Sequence, residues 1–248
     1  MTEDDFLGGR VRAAQPAVGY RAGTDAVLLA AAVPAKPGQS VLELGCGAGV
    51  ASLCLAVRVP DLRLTGIERQ LPYAGLARTN AARNGVKMEI VTADITNLPA
   101  SLRGQSFDHV FANPPYYLRT RGSAACDPGR EAALGEETPL SQWMDVATRR
   151  LVPGGWLTVI QRVERLPDLM QALDDRLGSA ELLPLAPRQG RAAKLGVLRA
   201  RKGARGAFRL LPPLVLHMGA RHETDGESYT PPVRAVLRQA AALPWPGD

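Results

Sequence analysis

Five short apolar runs alternating with helical patterns constrain this chain more than any other feature. Residues 40–44 (Ser-Val-Leu-Glu-Leu), 62–67, 88–91, 107–111 and 156–160 read as buried strands. Between and after them, 50–59, 73–84, 140–151 and 166–177 carry apolar residues at helical spacing. Parallel neighbours need crossover connections, so this order predicts a mostly parallel sheet with helices on both faces. Right-handed crossovers then gather the carboxyl ends of the strands at one edge, where open sheets bind ligands. Residues 194–201 and 208–217 bracket Lys202-Gly203-Ala204-Arg205-Gly206, which predicts a terminal antiparallel hairpin. Pro212-Pro213 marks an edge strand or a bulge there, because proline cannot donate to a ladder. No repeat or linker interrupts the 248 residues. One domain is expected: a basic opening segment and short helix over 1–38, a ligand-binding core over 39–165, and a helix with a basic hairpin over 166–248.

Four polar features fall at the predicted ligand edge. The first strand runs into Gly45-Cys46-Gly47-Ala48-Gly49, where glycines let the backbone turn tightly and approach a ligand ahead of a helix amino end. The pattern is GxGxG and not the dinucleotide fingerprint GxGxxG. Glu43, inside that strand, suits a cationic or zwitterionic ligand better than a pyrophosphate. Glu68, about 20 residues beyond the loop and at the end of the second strand, is placed for two ribose hydroxyls. Asp94 follows the third strand, where it can accept from an amine or cap a turn. The fourth strand ends in Asn113-Pro114-Pro115-Tyr116, a stiff turn holding an amide, free carbonyls and a ring close together. Upstream, Gly23-Thr24-Asp25 opens a short helix that ends before Pro34, with Thr24 or Asp25 able to cap it.

Composition narrows the setting. No apolar run approaches the ~18 residues of a membrane helix, and the acidic start, Thr2-Glu3-Asp4-Asp5, lacks a signal-peptide layout. Three cysteines (Cys46, Cys54, Cys126) without CxxC spacing give neither a disulfide framework nor a metal site, so a cytoplasmic setting is expected. Net charge is +6 and the pI about 9.6, which suits a polyanionic partner. Between Glu181 and Glu223 there are nine Arg or Lys and no acid, fitting a solvated face or a phosphate-binding surface. Residues 118–137 lack periodicity and read as a long binding loop. The stripe Leu140, Trp143, Met144, Ala147, Leu151 reads as core.

Together, Glu43-Leu-Gly-Cys-Gly-Ala-Gly49, Glu68, Asp94 and Asn113-Pro-Pro-Tyr116 resemble the class I S-adenosylmethionine-dependent methyltransferases that modify an amine nitrogen. With Gly23-Thr-Asp-Ala-Val-Leu-Leu29, Tyr116-Tyr117 and Gly226-Glu-Ser-Tyr229, the chain is similar to the bacterial tRNA adenine N6-methyltransferases that act beside the anticodon of a valine tRNA. The resemblance implies a Rossmann-like α/β fold with a seven-stranded sheet and S-adenosyl-L-methionine as cofactor. It places Gly45, Cys46, Gly47 and Gly49 against the cofactor and Glu43 near its amino-acid end. Glu68, with Arg69 beside it, would hold the ribose and Asp94 the adenine amine, with Thr24 and Asp25 near the methionine portion. Asn113 and the Pro114 carbonyl would hold the accepting nitrogen, with Pro115 stiffening the turn and Tyr116 stacking on the base. The implied partner is tRNA, met through basic segments 10–21 and 188–209. Glutamine N5-methyltransferases share the Asn-Pro-Pro-Tyr pattern but usually carry a helical amino-terminal domain, and about 40 residues precede the glycine loop here. A non-catalytic RNA-binding module would explain the charge but not the carboxylates.

Overall fold

The computed structural model describes residues 1–118, 135–136, 138–219 and 228–246. The expected 118–137 loop falls almost wholly outside these residues, as do Cys126, Gly226 and Glu227.

The sheet core consists of β3 (Ser40–Leu44), β4 (Arg63–Glu68), β5 (Met88–Thr92), β6 (Phe107–Ala112) and β9 (Leu151–Arg162). These five are parallel in the order β5-β4-β3-β6-β9, and β7 (Tyr117–Leu118) pairs with β8 (Gly135–Glu136) apart from the sheet. Beyond β9 the sheet continues through β11 (Leu195–Lys202) to β10 (Leu177–Ala186), both pairings antiparallel. The sheet therefore has nine strands, of which seven are long, and its pairing beyond β9 to β11 and β10 is antiparallel as expected. The hairpin's pairing differs from expectation: 195–202 pairs with 177–186 and not with 208–217. The latter segment lies along the far side of β10 as two short parallel pieces, β12 (Arg209–Leu210) and β13 (Leu214–Val215). Pro212-Pro213 interrupts them, as the missing donors require. Pro184 of β10 falls between the residues that β12 and β13 pair with, so its absent N–H costs no ladder bond on that side.

Side chains alternate across the sheet with the strand period of two. Val41, Phe111, Ile160, Val197 and Leu183 enter one core, and their neighbours Leu42, Val110, Val159, Leu198 and Leu182 enter the other. Helices α1 (Thr24–Ala32), α2 (Val50–Arg58) and α7 (Pro231–Gln239) cover the first face; short α4 (Ala100–Arg103), α5 (Leu140–Arg150) and α6 (Leu166–Gln171) cover the second. Helix α1 is buried from Ala26 to Ala32 because it packs against both α2 and α7. Its last carbonyls receive two guanidinium groups. Arg199 Nε donates to Ala32 O at 2.7 Å, and Arg58 donates to Ala30 O at 3.2 Å and to Val33 O. Cations there also complement the helix dipole. Helix α6 is shorter than its periodicity suggests, because Asp174 accepts the Arg176 N–H at 2.9 Å and closes an Asx turn. Pro153-Gly154-Gly155 lies within β9 as a bulge: the register passes from Phe107↔Leu151 to His109↔Trp156.

The opening segment holds a hairpin that its polar sequence does not announce, β1 (Thr2–Phe6) with β2 (Val11–Gln15). Polar contacts fix it. Asn80, fully buried on α3 (Leu71–Arg83), accepts from Ala14 N at 2.8 Å and donates to Ala14 O at 3.0 Å and Ala48 O at 2.9 Å. One side chain thus ties the hairpin to the glycine loop. Asn80→Ala leaves these backbone groups without partners, and unfolding in urea should show a loss of about 3 kcal/mol. A loss below about 0.5 kcal/mol would mean that the tie contributes only an average exposed contact.

Candidate active site

The glycine loop closes on three left-handed residues, Gly45 (φ 67°), Gly47 (φ 54°) and Gly49 (φ 83°). Side-chain-bearing residues resist that conformation, which explains the spacing. Cys46 N donates to Ile67 O at 2.9 Å, and Gly47 N donates to Glu68 Oε2 at 2.9 Å, so the loop is strapped to the end of β4. A cleft opens above it. Gly45, Gly47, Glu68, Arg69, Asp94, Asn113 and Pro115 all line it. These seven span 70 positions of sequence and meet there because five parallel strands end at one edge.

The carboxylates differ in their surroundings. Glu68 is buried, which raises its pKa, while the N–H groups of Gln70 (2.8 Å) and Gly47 oppose the rise. Burial acts on Asp94 too, but the Thr96 N–H (2.8 Å) and hydroxyl (2.7 Å) outweigh it and hold the carboxyl below its usual range. Both Thr96 bonds end on Oδ1, leaving Oδ2 for a ligand. Glu43 lies beneath the loop and is absent from the cleft wall. Its Oε2 accepts from Ser52 N at 3.1 Å and Ser52 Oγ at 2.5 Å, and burial pushes its pKa up to about 8. Cys46 and Gly49 also miss the wall; Gly49 instead packs on Ala77 of α3.

At the Asn-Pro-Pro-Tyr turn, Asn113 Nδ2 donates to Asp25 Oδ2 at 3.0 Å, and the Tyr116 hydroxyl donates to the same oxygen at 2.6 Å. The Tyr20 hydroxyl stands 3.4 Å from Nδ2. Burial, with Asp25 alongside, raises both phenols far above their usual pKa, so they remain donors. Asn113 Oδ1 is buried and has no hydrogen-bond partner. Turning the amide over would set that oxygen against a carboxylate, so Asp25 fixes which end is left over. An unpaired buried acceptor costs about 1–3 kcal/mol, which a ligand N–H relieves. Neither Thr24 nor Asp25 is the cap of its helix, since Gly23 holds that position without a side-chain cap bond; Asp25 instead orients Asn113, whereas Thr24 faces a separate surface cleft beside Asp4 and Arg21. The turn's carbonyls are steadied from below: buried Gln161 Nε2 lies 3.4 Å from Pro114 O and from Pro115 O.

Three contributors were not expected as site residues. Tyr20 sits in an irregular opening segment, and Gln161 ends a strand read only as core. Trp143, placed in the core stripe of α5, packs against that core and also lines the cleft. A Cβ on Gly45 would fall 2.8 Å from its ring, and its Nε1 is buried without a partner. The fit to S-adenosylmethionine is chemical: a carboxylate for a ribose, an acceptor for an adenine amine, a glycine floor and an aromatic wall.

Residues 21–184 match the sequence profile of the methyltransferase small domain. The chain belongs to that family. Its members use S-adenosylmethionine, and this protein is a methyltransferase with the class I Rossmann-like fold. A Porphyromonas gingivalis relative named tRNA1(Val) (adenine(37)-N6)-methyltransferase is 36% identical over 192 residues, 73% of this chain and 74% of the relative. An Actinobacillus succinogenes protein of the same name is 30% identical over 180 residues, 70% and 73% of the two chains. A crystal structure from Agrobacterium tumefaciens, described as a predicted O-methyltransferase, superposes with TM-score 0.70 at 28% identity, covering 88% of this chain and 97% of that one. Among the described residues no helix is long and apolar enough to cross a membrane, and no cluster of metal-ligating side chains occurs.

Glu43 gives the methyltransferase a pH-dependent stability. A carboxyl with a raised folded pKa binds more protons folded than unfolded, so its contribution is complete below about pH 4.5 and lost as pH rises through about 8. Buried His109, lowered to about 4 by burial, acts in the opposite sense below about 6.5. Between roughly pH 6.5 and 8 the Glu43 effect stands alone of the two. Urea midpoints should fall across that interval, and Glu43→Gln should flatten the fall; an unaltered slope would contradict the assignment.

Proposed function

We propose that this methyltransferase transfers a methyl group to the exocyclic N6 of an adenine in the anticodon loop of a tRNA. The names of the relatives support tRNA as substrate. One observation carries the chemistry: the unpartnered, carboxylate-oriented Asn113 Oδ1 beside the glycine-loop cleft.

When bound, S-adenosylmethionine supplies a methyl group on a sulfonium centre. Glu68 would take the ribose hydroxyls, with Arg69 beside it, and Asp94 Oδ2 the adenine amine. Gly45, Gly47 and Trp143 would enclose the remainder, and Cys46, Gly49 and Glu43 would act by shaping and supporting the loop. Thr24 has no direct part in this arrangement. The accepting nitrogen is a poor nucleophile because its lone pair is spread into the purine ring. Asn113 Oδ1 and the Pro114 carbonyl accept its two N–H bonds, favour a tetrahedral nitrogen, and stabilise the positive charge that grows there. An amide oxygen does not take a proton, so the proton leaves after the C–N bond has formed. Tyr116, held by its hydroxyl, offers a fixed ring for the base, and base stacking contributes about 1–3 kcal/mol. An anticodon loop presents an unpaired base, which keeps the extrusion cost low.

Labelled cofactor offered to tRNA, ribosomal RNA, DNA and a protein extract tests the substrate. Label is expected in tRNA as N6-methyladenosine, and label confined to protein would replace this reading with glutamine-amide methylation. Asn113→Ala should lower kcat at least ~10²-fold, the scale of losing one preorganised charge-stabilising contact, with cofactor affinity by calorimetry close to wild type. A parallel collapse of cofactor affinity would remove Asn113 from the accepting side.

A further inference from the structure

The basic segment 188–209 is divided by the fold between two opposite ends of the sheet. Strand β11 runs antiparallel to β9, with Leu195 beside Arg162 at the cleft edge and Arg201 beside Trp156 toward the other end. The cations of the distant half are largely engaged in structure. Arg199 is buried, bonded to Ala32 O and stacked 3.7 Å over Trp245. Arg201 Nε donates to Gly154 O at 2.9 Å, and Lys202 Nζ donates to Leu151 O at 2.6 Å. Arg209 pairs with Glu181 at 2.8 Å.

At the cleft edge the situation is reversed. Arg188 donates to Met218 O and to Gly219 O (3.2 Å), which anchors the connection between β10 and β11. Arg191 N donates to Arg188 O at 3.1 Å, closing a turn that Gly190 permits with φ 70°. That turn presents Arg191 from a defined backbone. Arg191 and Lys194 are exposed, and neither forms a salt bridge with a carboxylate among the described residues. The nearby acid, Glu164, pairs with Arg162 at 3.2 Å and is also felt by Lys194. Gln161, one residue before Arg162, supports the Pro114 and Pro115 carbonyls. Strand β11 stands two strands from β6, so Lys194 begins on the order of 10 Å from the Asn113 turn.

We propose that the β10–β11 connection grips the RNA backbone beside the cleft, with Arg191 and Lys194 as phosphate contacts, and that the opposite end of the hairpin takes no part. This rests on the RNA-substrate reading above. The same edge positions the target base and its flanking phosphates together, whereas Arg205 projects at the far end, where the cleft is out of reach.

The experiment measures tRNA binding by the full-length enzyme across ~0.05–0.2 M salt. It compares wild type with the Arg191→Glu/Lys194→Glu and Arg191→Ala/Lys194→Ala double variants and with Arg205→Glu. Each phosphate contact contributes about 0.7–0.9 to the log–log salt slope, so the alanine pair should lower the slope by about 1.4–1.8. That change corresponds to roughly 25- to 60-fold weaker binding at 0.1 M salt. The glutamate pair should lose at least as much. Arg205→Glu should match wild type, and calorimetric cofactor affinity should be unchanged in all three, which verifies that they fold. An unchanged slope in both double variants, or an equal loss in Arg205→Glu, overturns the surface. Wild-type enzyme with no salt-dependent tRNA affinity overturns the substrate reading itself, a separate result.

Discussion

A primary amide has a donating end and an accepting end, and at Asn113 the Asp25 carboxylate can take only the first. That hydrogen bond, 3.0 Å from Nδ2 to Oδ2, decides the character of the site. It leaves a buried carbonyl oxygen unpaired beside the cofactor cleft, and the missing bond is one that a substrate amine can form. Tyr116 shares the same carboxylate oxygen, so the turn's amide and its ring are referenced to a single point on α1. Helix α1 is in turn fixed by burial between α2 and α7 and by Arg58 and Arg199 at its carboxyl end. The accuracy of the accepting side therefore derives from a helix that carries no other evident chemistry.

The cofactor side is organised on a different principle. Its groups are backbone and carboxylate: left-handed glycines, a loop strapped by Glu68, and an Asp94 whose second oxygen is spare. Parallel strands deliver both halves to one edge, and the Gln161 contacts carry that rigidity into β9 and the antiparallel extension. Extending the sheet past β9 also sets the position of the basic β10–β11 connection. Fold and substrate surface are thus linked by one register.

Much of this could be read from the sequence, because glycine loops, strand-end acids and proline turns leave local signatures. Gly45, Glu68, Asp94 and Asn113 were recognisable without coordinates, as was the edge placement implied by Pro212-Pro213. What escaped depends on tertiary partners. The β1–β2 hairpin has an acidic, low-propensity sequence and is held by Asn80, by the Asp4–Arg21 pair and by Arg83 with Glu3. Strand β10 contains Gly178 and Pro184, which disguise it, and the proline is tolerated on the side away from β11 because β12 and β13 skip that position. Trp143 has the spacing of a core residue, and only the fold shows that its ring also walls the cleft opposite Gly45. Asp25 reads either as a cap or, by the resemblance, as a neighbour of the methionine portion, and its bond to Asn113, 88 positions away, has no local signature.

The most direct test is a crystal structure of the enzyme with S-adenosylhomocysteine and an adenine nucleoside. The exocyclic nitrogen should lie about 3 Å from Asn113 Oδ1, with Asp25 Oδ2 still accepting from Nδ2. An amide turned to present Nδ2 to the nucleobase, or an amine held by other groups with Oδ1 still unpaired, would contradict the account.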